Sequence, residues 1–253
     1  MAKLDSIARF LNKTFNVGQV EDSSFNGLQY SGANNVAKVA LAVDACVQTF
    51  HLAKSQGCQM LVVHHGLFWK NCLPSKITGV WKKRLSFLSQ SDLSLYALHL
   101  PLDMHPGFGN NALLCRQIGL KALKIFGNHN GQSVGFKGFL SKKLSVREFE
   151  NLLKKKIGGE RVSLRFGSKE ILKVGVVSGG GAFAIEEAAD EGLDAFITGE
   201  VKHSHYHLAK ECGINVFALG HYDTETPGVS AVGKLLEKKF GVKTVFLDAP
   251  TGL

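Results

Sequence analysis

The sequence predicts an α/β protein in which buried, largely parallel strands alternate with helices, and three observations carry that prediction. Short β-branched apolar runs alternate with stretches of helical spacing over most of the chain. The 253 residues are 45% hydrophobic and 20% charged, enough for one large or two small cores. Past Gly127 the rhythm breaks into a Gly, Asn and His-rich stretch and then resumes, which marks a second domain or an insertion.

Taken in order, Leu4, Ile7, Ala8 and Leu11 form a helical stripe near the start. VAKVALAVD at Val36 to Asp44 reads as a buried strand, and Cys46 to Gln56 follows as a helix with apolar positions Val47, Phe50, Leu52 and Ala53. MLVVHH at Met60 to His65, a helix around Trp81 to Leu88, the strand Leu93 to His99 and a helix at Asn111 to Ile118 repeat the pattern. GNHNGQ then leads to short strands at Val134 to Leu140 and Arg161 to Phe166 around a lysine-rich helix. KVGVVSG, a helix at Ala182 to Glu191, the strand Asp194 to Gly199, a helix through Ala209, INVFALG, a helix near Val229 to Lys239 and TVFLD complete the alternation.

Glycine occurs 28 times without a three-residue period and proline only five times, which excludes collagen-like and low-complexity chains. The formal charge of +9 favours phosphates, nucleotides or nucleic acid by long-range attraction, although lysine runs such as Lys154 to Lys156 read as solvated helix faces. The five cysteines, Cys46, Cys58, Cys72, Cys115 and Cys212, show no zinc-knuckle or redox spacing and read as reduced thiols. With no apolar core of a signal peptide and no run near the roughly eighteen apolar residues of a membrane span, the expected location is cytoplasmic.

Histidines and carboxylates collect where strands are predicted to end: His64 and His65, His99 with Asp103, and His221 with Glu225. In α/β proteins, ligands bind beyond the carboxyl ends of the strands. Imidazole and carboxylate together suit zinc, manganese, iron, cobalt or nickel, and these donors exceed what one tetrahedral ion needs. Two ions sharing a carboxylate or a water would use them all. His64 and His65 are adjacent and would point to opposite faces of a regular strand, so a common site needs the backbone to bend, which Gly66 permits.

SGGGAF at Ser178 to Phe183 reads either as an anion-holding turn or as a tight strand-to-helix turn. KHSHYH puts His203 and His207 four apart, a basic rim rather than a metal site, because no carboxylate accompanies them. A covalent nucleophile is not indicated: there is no GxSxG elbow, and Cys46 reads as a structural thiol.

NGLQ at Asn26 to Gln29, VVHHGLFWK at Val62 to Lys70, HLPLDMHPGFGNNALL at His99 to Leu114, ITGEVKH at Ile197 to His203 and GHYDTE at Gly220 to Glu225 resemble, in order and over nearly the whole chain, the Nif-three-like family of dinuclear metal-centre proteins, catalogued as GTP cyclohydrolase 1 type 2 homologues, and its YbgI-like branch. The resemblance implies two α/β domains of related topology with mixed, mostly parallel sheets and helices on the faces: residues 1–126 with about 221–253, carrying most ligands, and about 127–220. It implies two divalent ions per subunit, of zinc, manganese, iron or nickel, on His64, His65, Asp103, His221 and Glu225, with His99 close to them to orient a ligand or contact substrate; in a hydrolase His99 would be the candidate general acid or base. It also implies a toroidal homohexamer, a trimer of dimers. EDSSF before NGLQ and Tyr222 depart from the family pattern without removing a ligand.

Two functions follow. The first is a metal-dependent hydrolase acting on a nucleotide-like, phosphate-bearing substrate. The alternative is a non-catalytic metal-binding or metallochaperone ring whose positive charge engages nucleic acid.

Overall fold

A computed structural model describes residues 1–158 and 161–253. The chain divides into two compact units, Met1–Leu102 with Gly228–Ala249, and Asp103–Pro227 with Pro250–Leu253. The first unit is therefore discontinuous in sequence.

Among the described residues of the first unit, five strands form one sheet in the order Lys243–Phe246, Lys38–Asp44, Met60–His65, Ser94–Ala97 and Gly27–Tyr30. The first three pairings are parallel and the last is antiparallel. Lys38–Asp44 and Met60–His65 are the continuous apolar runs of the sequence, and both are buried along almost their whole length, as strands covered on two faces must be. Helix Val47–Ser55 starts at Cys46, whose backbone N–H donates to Thr49 Oγ1 at 3.1 Å. Phe50, Leu61, Val63, Leu88 and Leu95 meet in a core where each side chain contributes roughly 1.5–3 kcal/mol by leaving water. Helix Leu4–Thr14 buries the predicted stripe of Leu4, Ile7, Ala8 and Leu11.

The strand read at Leu93 to His99 covers Ser94–Ala97, and a one-turn helix at Leu100–Asp103 begins after Leu98 and His99. His99 thus stands in the turn between strand and helix, at the sheet's carboxyl end.

In the second unit, six strands run in the order Lys121–His129, Gln132–Ser145, Glu170–Val177, Ala195–Thr198, Asn215–Ala218 and Val162–Arg165 among the described residues. Only the two pairings around Ala195–Thr198 are parallel, so the parallel character of the fold is concentrated in the first unit. GNHNGQ is the tip of a long hairpin. Asn130 and Gly131 have φ of 52° and 85°, the mirror-image turn that matches strand twist and that an Asn-Gly pair adopts at least cost. Helix Val146–Lys156 opens with a capping box: Ser145 N–H donates to Glu148 Oε2 at 2.7 Å, and Glu148 N–H donates to Ser145 Oγ at 3.3 Å. Phe149 and Leu153 of this helix pack with Ile171, Val174, Ile197 and Phe217.

Candidate metal centre

In the first unit three histidines converge. His64 and His65 end the Met60–His65 strand and His99 follows the neighbouring strand, with ring centres 4.7, 5.0 and 5.6 Å apart for the pairs 64–65, 64–99 and 65–99. One nitrogen from each lies within 4.8 Å of the others.

The second nitrogen of each ring decides the chemistry. His64 Nδ1 is 2.9 Å from Leu98 O, His65 Nδ1 is 2.9 Å from Asp44 Oδ1, and His99 Nδ1 is 2.9 Å from Asp22 Oδ1. Carbonyl and carboxylate oxygens only accept, so each Nδ1 carries the proton. In the neutral rings Nε2 then holds the lone pair, which is the tautomer a metal ligand needs and the arrangement that usually supports ligating histidines. The chemistry of the donor set therefore fits a divalent ion.

Asp22 is the hub beneath His99. Besides His99 Nδ1 it accepts from Asn26 Nδ2 at 2.8 Å, Ser24 N at 3.0 Å and Leu100 N at 3.0 Å. Burial alone would raise its carboxyl, but the hydrogen bond and charge of His99, with Asn26 and the Ser24 backbone, outweigh it and hold the pKa at about 2. Asn26 Oδ1 accepts from His99 N at 2.7 Å, which ties the NGLQ segment to the same residue. Gln29 Oε1 accepts from Leu67 N at 2.7 Å. Gly66 is required less for a bend than for space, since a Cβ there would collide with the Gln29 amide and the Ala97 methyl. Trp69, with its indole N–H donating to Gly66 O at 3.0 Å, forms an aromatic wall 5.0 Å from the His99 ring.

The remaining predicted ligands lie in the second unit. His221 and Glu225 are one turn apart at the start of helix His221–Phe240, with His221 Nε2 3.2 Å from Glu225 Oε1, and Glu200 Oε2 lies 3.1 Å from His221 Nδ1. The hydrogen bond and charge of Glu225, helped by Glu200, overcome burial and raise the His221 pKa to about 9. Asp103 is buried and accepts from Asn110 Nδ2 at 2.8 Å and Ser178 Oγ at 3.2 Å. Gly179, with φ of +57°, follows Ser178, and a Cβ on it would run into Glu225 Oε1. Asp103, Ser178, Gly179 and Glu225 are thereby neighbours.

The same turn begins SGGGAF. Ser178 N donates to Asn111 Oδ1 at 2.6 Å and Gly179 N to Thr224 Oγ1 at 3.0 Å, so these two donors serve the fold. His203 and His207 are exposed, with ring centres 6.5 Å apart on helix Ser204–Cys212 and its N-cap.

Asp22 and Asp44 are given no role in the sequence reading, while Asn26, Glu200 and Ser178 enter it only as members of NGLQ, ITGEVKH and SGGGAF, without the contacts seen here. Asp22 lies in the EDSSF stretch, where departure from the family pattern was the one available signal.

Fold and donors define a class: a two-unit α/β protein bearing oriented imidazoles and buried carboxylates at its strand ends. The family model Duf34/NIF3 (NGG1p interacting factor 3) matches residues 2–251, and the chain belongs to that family. Similar curated proteins include one from Archaeoglobus fulgidus, 46% identical over 250 residues and 99% of both chains, and one from Pyrococcus abyssi, 42% identical over 98% of this chain and 99% of its own. Both are named GTP cyclohydrolase 1 type 2 homolog. Similar solved structures include protein ybgI, described as of unknown function (TM-score 0.93, 32% identity, 100% of both chains), and a protein from Thermus thermophilus (TM-score 0.90, 38% identity, 100% of both). Reduced HcgD from Methanocaldococcus jannaschii follows with TM-score 0.86 and 25% identity over 98% of both chains. Among the described residues no helix is long and apolar enough to cross a membrane.

Proposed function

We propose that the protein binds two divalent metal ions through His64, His65, Asp103, His221 and Glu225 and acts as a metal-dependent hydrolase on a nucleotide-like substrate. The observation that carries this reading is the set of three histidines, each with Nδ1 donating to an oxygen, that bring one ring nitrogen apiece within 4.8 Å of the others. When bound, two such ions would supply Lewis acidity and lower the pKa of water.

The chain's own residues do the rest. His64 and His65 would hold the ions, each ring kept in one tautomer by Leu98 or Asp44. Asp103 and Glu225 are the buried carboxylates that would hold the ions, one or the other shared between them. His99, oriented by Asp22, holds or takes a proton at Nε2 as general acid or base. Lys202 and His203 are exposed and suit a phosphate-bearing substrate. The name carried by the Archaeoglobus and Pyrococcus relatives supports a nucleotide as the substrate class. The assembly we propose is a toroidal homohexamer, to be checked by light scattering as a mass about six times that of the chain.

The test is elemental analysis of purified and reloaded protein beside Asp103→Ala, followed by turnover of GTP and a nucleotide panel. About two ions per chain, falling in the variant, together with turnover lost on chelation, is the expected result. Specific metal uptake without turnover would replace the hydrolase by a metal-binding or metallochaperone role. No specific uptake would end both readings.

A further inference from the structure

We propose that the long hairpin of the second unit carries a separate binding site for the phosphate group of a small molecule, built by Lys124, Lys137 and Lys173. The three lysines line a cavity of about 180 Å³ that shares no residue with the metal donors. Lys124 pairs directly across the ladder with Lys137, and Lys137 pairs with Gly175, two residues from Lys173. Side chains alternate along a strand, so all three belong to one face. Like charges set directly opposite each other in an antiparallel pair destabilise it. A sheet that keeps such a pair at the mouth of a cavity is arranged to receive negative charge.

The surrounding residues shape the cavity and cancel only part of its charge. Among the described residues Glu191 is the one carboxylate in the lining; it pairs with Lys137, whose ammonium also lies 5.8 Å from the centre of the Phe126 ring. Three lysines against one glutamate leave a formal +2. Among the described residues, Lys124 and Lys173 have no ion-pair partner. A Cβ at Gly175 would press on Leu193 and Phe126 at 2.8 and 2.9 Å, so the glycine lets these two side chains pack closely against the strand beside Lys173. At the rim the strand bulges between Lys121 and Lys124, with Ala122 at φ of +52°, a conformation that costs an alanine about 1–2 kcal/mol. Bulges of this kind re-aim side chains beside binding sites, and this one sets the direction of Lys124. Phe139 and Leu193 add an apolar wall, which suits a small organic phosphate better than a bare polyanion.

The test is calorimetric titration of the metal-loaded protein with inorganic phosphate and with adenosine monophosphate at constant ionic strength. Lys124→Ala and Lys173→Ala are each expected to weaken binding by about fivefold and the double variant to abolish it at this site. Lys154→Ala/Lys155→Ala, which removes the same charge from the exposed helix, leaves the isotherm unchanged. Circular dichroism and metal content of all variants match the parent, since the lysines are surface groups. An unchanged isotherm in the double variant overturns the proposal by placing phosphate elsewhere, as does the absence of saturable binding. Loss of single-stranded oligonucleotide binding in the double variant without any phosphate binding also overturns it, in favour of a nucleic-acid face.

Discussion

The Asp22 carboxylate receives the Nδ1 proton of His99 at 2.9 Å across 77 residues of sequence, and the same carboxylate gathers the backbone of Ser24 and Leu100 and the amide of Asn26. One buried side chain thus fixes both a loop and the tautomer of a histidine in the candidate centre. Replacement by alanine strands these donors. Asp22→Ala is expected to lower the unfolding free energy by about 2–3 kcal/mol, measured by urea titration with an unchanged m-value.

Acid should act through the same residue. The Asp22 pKa falls from 3.8 to about 2 on folding, so its stabilisation is complete above about pH 4 and disappears as pH drops through about 2. The difference corresponds to roughly 2 kcal/mol. Unfolding free energies measured between pH 5 and 2 should therefore decline less steeply in Asp22→Asn than in the parent. Parallel curves would show that another carboxylate governs the acid limb.

Asp44 tests orientation separately from ligation. It holds His65 Nδ1 at 2.9 Å but supplies no proposed metal donor. Asp44→Asn is expected to weaken metal affinity by about 10- to 100-fold, read by competition with a chromophoric chelator, while the thermal midpoint of the metal-free protein barely moves.

Gly179 has both a left-handed φ of +57° and no room for a methyl group beside Glu225. Gly179→Ala should cost about 1–3 kcal/mol in stability and lower metal uptake as well, because relief of the clash displaces Glu225. Retention of parental melting and metal content would show that the turn can shift freely.

Thiol reactivity should divide by burial. Burial pushes the Cys115 thiol up to about 12, whereas Cys72 is exposed. Iodoacetamide on native protein at mild alkaline pH should label Cys72 first and Cys115 only after denaturation, as read by peptide mass spectrometry.

The strand ends were legible because a buried parallel strand announces itself as an apolar run, and a histidine at its carboxyl end therefore has a known location. That logic singles out His64, His65 and His99 from the amino-acid order alone, and the structure brings the three together. Their orienting partners were not legible. Asp22 and Asp44 lie 77 and 21 residues from the histidines they hold, and no local periodicity encodes such a pairing. The Lys121–His129 strand escaped for another reason. Much of it is exposed, lysines and Gly127 interrupt its alternation, and only the Asn130-Gly131 turn signals the hairpin.

The interrupted order of the first unit sets a timetable for the nascent chain. Strand Lys38–Asp44 is synthesised before residues 103–227, and its neighbour Lys243–Phe246 only after them. Until then one side of that strand exposes unpaired backbone groups, the edge that recruits other extended segments. Residues 103–227 are made as one block in the interval and can collapse around their own core first. Ribosomal pausing or truncation upstream of Lys243 should therefore yield a sticky half-sheet rather than a smaller stable protein.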